Sequence, residues 1–369
     1  MKAIARLCSA GFASAAAISF IAVSPAYAAE HHTRAVFVQT DNPDGNTIIA
    51  YDRGRDGTLS KAGSYPTGGR GGILDGSVVD HLASQGSLAY DRGTLFAVNA
   101  GSNTITAFSV HGDRLDRQQV ISSGGNFPVS IAVRGNVVYV LNGLDGGSIQ
   151  GYLRFGDRLV LIPSWHRSLG LDPTATPQFT NTPGQVAFSP DGSRLIVTTK
   201  ANGSSIDVFR ITFGRPSRAV VTSLPGTVPF AVSFDPAGHL IVAEAANSVA
   251  TFTLRRDDSL RQLDAVATGQ QATCWITAIG DHVYASNAGS GTVSGYRVAP
   301  DGALHGSGVT ATDGGTVDAA ATADGRYLYV QAGAAGIVDE FQVGGDGSLT
   351  RIGSVTVPGA VGGEGIVAR

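Results

Sequence analysis

Cysteine is nearly missing from this chain. Of 369 residues only Cys8 and Cys274 carry a thiol, and Cys8 falls in an amino-terminal segment expected to be removed. An intramolecular disulfide is therefore not expected, and stability has to come from a packed core. Lysine is as scarce: beyond residue 28 only Lys61 and Lys200 occur, and arginine carries the positive charge. Nor is there an excess of positive charge. The formal net charge is −3, and loss of residues 1–28, which hold Lys2 and Arg6 and no acid, takes it to −5. A mildly acidic chain gives no electrostatic basis for nucleic acid or an anionic membrane as partner. After residue 28 no apolar run is long enough to span a bilayer. Two catalytic signatures are absent as well: a Gly-x-Ser-x-Gly elbow in a strand-to-helix setting and a Gly-rich strand-to-helix phosphate loop.

What is present begins at the amino end. Residues 1–28 combine Lys2 and Arg6, an Ala-rich apolar stretch reaching Val23, and the small-x-small triplet Ala26-Tyr27-Ala28. That order reads as a secretory signal peptide, so a protein working in the extracellular or cell-envelope space is expected, soluble once the signal is cleaved.

The rest is repetitive. Apolar runs such as "TLFAVN", "VVYVLN", "HVYASN" and "YLYVQA" end at Thr40, Asn99, Asn142, Thr199, Glu244, Asn287 and Ala332. The spacing is about 44 residues, with two longer gaps of 59 and 57, which is the range of propeller blades. Inside each repeat, short runs rich in Val, Ile, Phe and Tyr alternate with Asp-Gly turns, as in "SPDGSRLIVTT" and "GGDGSLTRIG". Each unit reads as four antiparallel strands. The first unit, "RAVFVQT", lacks an inner strand, and the terminal "GGEGIVAR" is an inner strand with no unit after it. The expected fold is therefore all-β: residues 29–369 as one seven-bladed propeller closed by the carboxyl-terminal strand, which removes exposed sheet edges. "VNAGSNTITAF" and its echo "SNAGSGTVSGY" are then recurring hairpins of that architecture.

Repeats of the form DGxxLYVxNxGSxTVxxY…DGxL resemble the lactonase-type seven-bladed propellers, which include bacterial 6-phosphogluconolactonases and fungal carboxymuconate-lactonising enzymes. The resemblance covers residues 29–369. It implies a site at the mouth of the central channel, with a His near the start of an inner strand and Arg and Glu from neighbouring blades. Here the chain departs from the pattern, because none of its inner-strand starts contains His and the nearest, His81, stands four residues before Gln85.

In register at the channel mouth, the seven units present Gly86, Val129, Gly184, Phe230, Cys274, Asp318 and Glu364. Asp318 and Glu364 belong to adjacent blades. Like charges held close raise one carboxyl's pKa and can yield an acid and base pair, so these are the candidate catalytic residues. Gln85, Gln185 and Trp275 border the same ring as candidate ligand contacts. The two long gaps are insertions between an outer strand and the next inner strand. One carries Arg70 and His81, the other Trp165, His166 and Arg167. Arg beside an aromatic ring suits a carboxylated or cyclic ligand. Cys274 beside Trp275 reads as a small buried hydrophobe.

Two function classes stay open. One is an enzyme hydrolysing or isomerising a lactone or related cyclic acid, with Asp318 or Glu364 as base and Arg70 or Arg167 holding a carboxylate. The other is a non-catalytic propeller binding a small ligand, a glycan or a partner protein. No cofactor and no metal is expected, and the protein is expected to be a monomer. If cleavage follows Ala28, the end Ala29-Glu30-His31 would offer square-planar nitrogen donors to Cu(II).

Overall fold

The second strand of each repeat is an almost unbroken apolar run, and the fold explains why. In the computed structural model, which describes residues 34–369, seven four-stranded antiparallel sheets are formed. The expected signal segment and the Ala29-Glu30-His31 end lie outside the described residues. Each second strand is sandwiched, so both of its faces are buried. Val36 and Val38 of Ala35–Gln39 pack toward Tyr327, Tyr329 and Val338 of the last sheet, while Ala35 and Phe37 pack toward Leu88, Leu95 and Phe108 of the next. A strand buried on both sides loses the alternation that marks a half-exposed one. Fourth strands lie at the outside: Leu59–Pro66 is buried at Leu59 and otherwise mostly exposed.

The first sheet is completed from the far end of the chain. Ile366–Ala368 pairs antiparallel with Ala35–Gln39, in the register Val36↔Ala368, Phe37↔Val367, Val38↔Ile366. The inner strands of the seven blades are thus Ile366–Ala368, Leu88–Asp91, Pro128–Arg134, Val186–Phe188, Pro229–Phe234, Thr273–Ile279 and Thr316–Ala321. The third blade departs slightly, with Arg167–Ser168 adding a short pairing to Ser148–Ile149.

The recurring Asn closes a hairpin. Asn99 Nδ2 donates to Thr104 Oγ1 at 3.1 Å and Thr106 Oγ1 at 2.9 Å; Asn287 Nδ2 repeats this on Thr292 Oγ1 at 3.1 Å and Ser294 Oγ at 3.0 Å. Both side chains are fully buried; their Nδ2 groups are spent on the strand that follows, while Asn99 Oδ1 accepts from Asn46 Nδ2 at 3.1 Å and Asn287 Oδ1 from Thr273 Oγ1 at 2.6 Å. Tyrosines in the apolar runs tie blade to blade. Tyr139, Tyr284 and Tyr329 each donate a phenol hydrogen bond to a glycine carbonyl in the next blade: Gly214, Gly347 and Gly57.

Candidate functional site at the channel mouth

An inner strand is an edge strand, and it leaves backbone N–H and C=O groups facing the central axis. Here side chains satisfy several of them. Gln85 Oε1 accepts from Ile276 N at 2.8 Å and its Nε2 donates to Ile276 O at 2.9 Å, so the side chain mimics a pairing strand. Trp275 Nε1 donates to Ser84 O at 2.6 Å, and Gln185 Oε1 accepts from Val232 N at 2.6 Å. The polar ends of Gln85 and Trp275, and the carbonyl of Gln185, are therefore engaged with backbone.

The first insertion, residues 67–87, runs across the mouth. Its backbone bonds reach Gly101 from Arg70 O, Gly362 from His81 N and Gly184 from Gln85 N. Gly71 lies against the Asp41 backbone so closely that a Cβ there would stand 1.9 Å from Asp41 O, so only glycine fits. The second insertion divides. Its later part, with the short helix Gln178–Asn181, meets the first insertion through Gln178 Oε1 accepting from Asp75 N at 3.0 Å and Phe179 N donating to Asp75 O at 3.2 Å. Its early part goes elsewhere: Trp165 is buried beside Tyr139, with ring centroids 6.3 Å apart, and against Gly214.

Beneath the first insertion lies a nest of carboxyl groups. The carboxyl groups of Asp318 and Glu364 stand close enough to perturb each other. Glu364 Oε1 accepts from Gly86 N at 2.9 Å, Glu364 N donates to Asp41 Oδ2 at 2.8 Å, and Asp318 Oδ1 accepts from Ala319 N at 2.9 Å. Asp80 caps its own loop, accepting from Leu82 N at 2.8 Å and Ser84 N at 2.9 Å. Burial raises all four: Asp41 to about 8, Asp318 to about 7, Asp80 to about 6, and Glu364 well above the ordinary range, with the charge of Asp318 adding to its rise. The facing cation is Lys200, which burial pushes down to about 7 against the pull of Asp80. Its Nζ donates to Ala83 O at 2.6 Å, Phe179 O at 2.7 Å and Thr182 Oγ1 at 3.0 Å, so one ammonium clasps both insertions.

Beside this nest is a cavity of about 270 Å³. Val78 and Val79 of the first insertion and Phe179 of the second wall it, with Phe230, Trp275, Ala245 and Ala288 from the blades; Asp80, Lys200 and Cys274 reach its edge. Asp318 and Glu364 do not line it, being 4% and 0% exposed. Burial pushes the Cys274 thiol up to about 12.

The remaining candidates are scattered. Half-buried His81 packs on Gly362, and burial lowers its pKa. Arg70 is exposed on the mouth face, where its N–H bonds Ser102 Oγ at 3.0 Å. Exposed His166 and half-buried Arg167 stand with Trp165 at the rim between blades 3 and 4, and the Arg167 guanidinium is spent on the carbonyls of Ser164, His166, Pro216 and Ser217. The structure thus does not bring Trp165, His166 or Arg167 to the mouth. The reason is packing: the large indole finds its fit over Gly214 and Gly151, and the chain on either side follows it. Among the described residues no group of three or more His, Cys, Asp or Glu is arranged to hold a metal ion.

Residues 245–362 match the family model described as Lactonase, 7-bladed beta-propeller. The chain resembles the lactonase-type propellers. Solved structures similar to this lactonase-like propeller include the Pseudomonas aeruginosa periplasmic gluconolactonase, at 19% identity and TM-score 0.70, covering 90% of this chain and 98% of that one. A Lactobacillus plantarum protein is 18% identical with TM-score 0.72 and the same coverage. A Staphylococcus aureus virginiamycin B lyase is 12% identical with TM-score 0.53, covering 77% of this chain and 89% of that one. At these identities the likeness is one of fold. No curated protein matches the chain.

Two charged residues of the lactonase-like propeller's mouth, Asp41 and Lys200, escape a reading by inner-strand register. Both come one place after the aligned positions Thr40 and Thr199, two residues beyond the strands Ala35–Gln39 and Arg194–Thr198. At that place the seven blades carry Asp41, Ala100, Gly143, Lys200, Ala245, Ala288 and Gly333. Five are Ala or Gly and two are charged, and that contrast is the sequence signal that finds them. Both sit in left-handed backbone, at φ 50° and 52°.

Proposed function

We propose that this lactonase-like propeller binds a small molecule at the mouth of its channel and works outside the cytoplasm. The cavity of about 270 Å³ enclosed between the two insertions carries the reading. Loops that break a repeat on a rigid scaffold are where binding usually sits, and the volume falls near the lower end for small-ligand sites. The location is supported by the signal-like residues 1–28 and by a similar structure described as a periplasmic gluconolactonase.

Turnover of a lactone or related cyclic acid is the second reading. The family match favours it, together with a carboxyl pair, Asp318 and Glu364, whose raised proton affinity suits a general base. Their burial away from the cavity favours binding over chemistry.

A lactone panel followed by proton release and by ligand-induced shifts in melting temperature separates the two. Thermal shifts that vanish in Ala288→Trp, without proton release, support binding at the mouth. Proton release abolished by Asp318→Asn or Glu364→Gln supports turnover. Shifts that persist unchanged in Ala288→Trp refute the proposed site.

A further inference from the structure

The polar side chains around the mouth cavity are already committed. The three Nζ hydrogens of Lys200 go to Ala83 O, Phe179 O and Thr182 Oγ1, which is its full donor capacity. Each Asp80 oxygen accepts a backbone N–H, and the carboxylate faces Lys200. Ser77 Oγ donates to Asp80 O, Thr180 Oγ1 to Pro177 O at 3.2 Å, and Trp275 Nε1 to Ser84 O at 2.6 Å. The other lining residues are Val, Ala and Phe, with the Cys274 thiol. Among the described residues no arginine lines the cavity.

Resting on the mouth-binding reading, we infer that the ligand is a neutral, largely apolar small molecule, an alkyl- or aryl-bearing lactone or a similar compact ester, and neither a phosphorylated nor a polyhydroxylated sugar lactone. A phosphate needs free cationic or N–H donors. Lys200, the cation among the described lining residues, is enclosed, and prising it away would leave the carbonyls of Ala83 and Phe179 unpaired. A sugar ring brings several hydroxyls into a wall that offers no partner for them, and each hydroxyl unpaired there works against binding. An alkyl group meets none of these costs and gains contact with Phe230, Trp275, Val79 and Phe179. At ~30 Å³ per water-sized or methylene-sized group the cavity holds roughly nine such groups.

Calorimetric titration of the full chain with γ-hexalactone, γ-octalactone and D-glucono-1,5-lactone tests this. Affinity should rise about fourfold per added methylene, so about 15-fold between the first two lactones. Gluconolactone should bind at least tenfold more weakly than γ-octalactone. Ala288→Trp, or the milder Ala245→Leu, should weaken γ-octalactone binding at least tenfold. Tighter binding of gluconolactone, or a flat response to chain length, with binding still lost in the filled variants, overturns the ligand class and leaves the mouth as the site. A chain-length gradient that survives both filled variants overturns the mouth reading itself. No binding by any of the three overturns both.

Discussion

Replacing Asp41 by Asn should make the fold less sensitive to alkali. Its carboxyl is fully buried, and desolvation lifts its pKa from 3.8 to about 8. Between those values the folded chain keeps a proton that the unfolded chain has lost. This group's stabilising contribution is therefore complete below about pH 4, declines steadily as pH rises, and is gone above about pH 8. A gap of about four pH units at about 1.4 kcal/mol each gives about 6 kcal/mol as an upper figure, comparable with the whole stability of many domains. An amide of the same shape mimics the protonated acid and does not titrate. It also offers an N–H near Gln39, whose buried Oε1 has no partner among the described residues. Urea unfolding followed by tryptophan fluorescence at about pH 5 and pH 8 should show Asp41→Asn more stable than the parent by about 1 to 2 kcal/mol at the lower pH and by several kcal/mol more at the higher. The other nest carboxyls are common to both proteins, so their contribution largely cancels in the difference. An equal stability difference at both values, or a parent that gains stability from pH 5 to pH 8, would refute the argument.

Lys200→Met removes the ammonium that clasps both insertions. The carbonyls of Ala83 and Phe179 lose their buried donor, at about 1 to 3 kcal/mol each, and hydrogen exchange should speed up over residues 77–85 and 178–182. Tyr329→Phe strips the hydroxyl bonded to Gly57 O at 2.7 Å and should lower stability by about 1 to 3 kcal/mol, read from the urea midpoint at unchanged slope. Ile366→Ala, in the closing strand and 5% exposed, should cost about 2 to 5 kcal/mol in the same assay.

The ring was legible because a blade must repeat its turns and its doubly buried second strand, and both leave marks a single sequence can be aligned on. The recurring Asn is one such mark, since Asn99 and Asn287 make the same two bonds five and seven residues on. The insertions were legible as interruptions of that period. Their course was not. Trp165 reads as a ligand contact because an aromatic beside Arg167 suits recognition, whereas the crevice over Gly214 that captures it is made by a different blade and has no local signature. The carboxyl nest was half legible. Asp318 and Glu364 share the inner-strand register, but Asp41 and Lys200 come from the loops beside it, and Asp80 enters from an insertion that no repeat aligns.

The pairing of Ile366–Ala368 with Ala35–Gln39 joins segments roughly 330 residues apart in sequence. During synthesis the strand containing Val36, Phe37 and Val38 leaves the ribosome before its partner has been made, while the other six blades contain their own four strands. The first blade is thus a waiting three-stranded sheet: its unpaired edge and its apolar face toward the seventh blade are available to any other extended chain until its fourth strand arrives. Ring closure is the slowest contact in the molecule to become possible, and the stage before it is when aggregation or capture by a chaperone competes most strongly with folding.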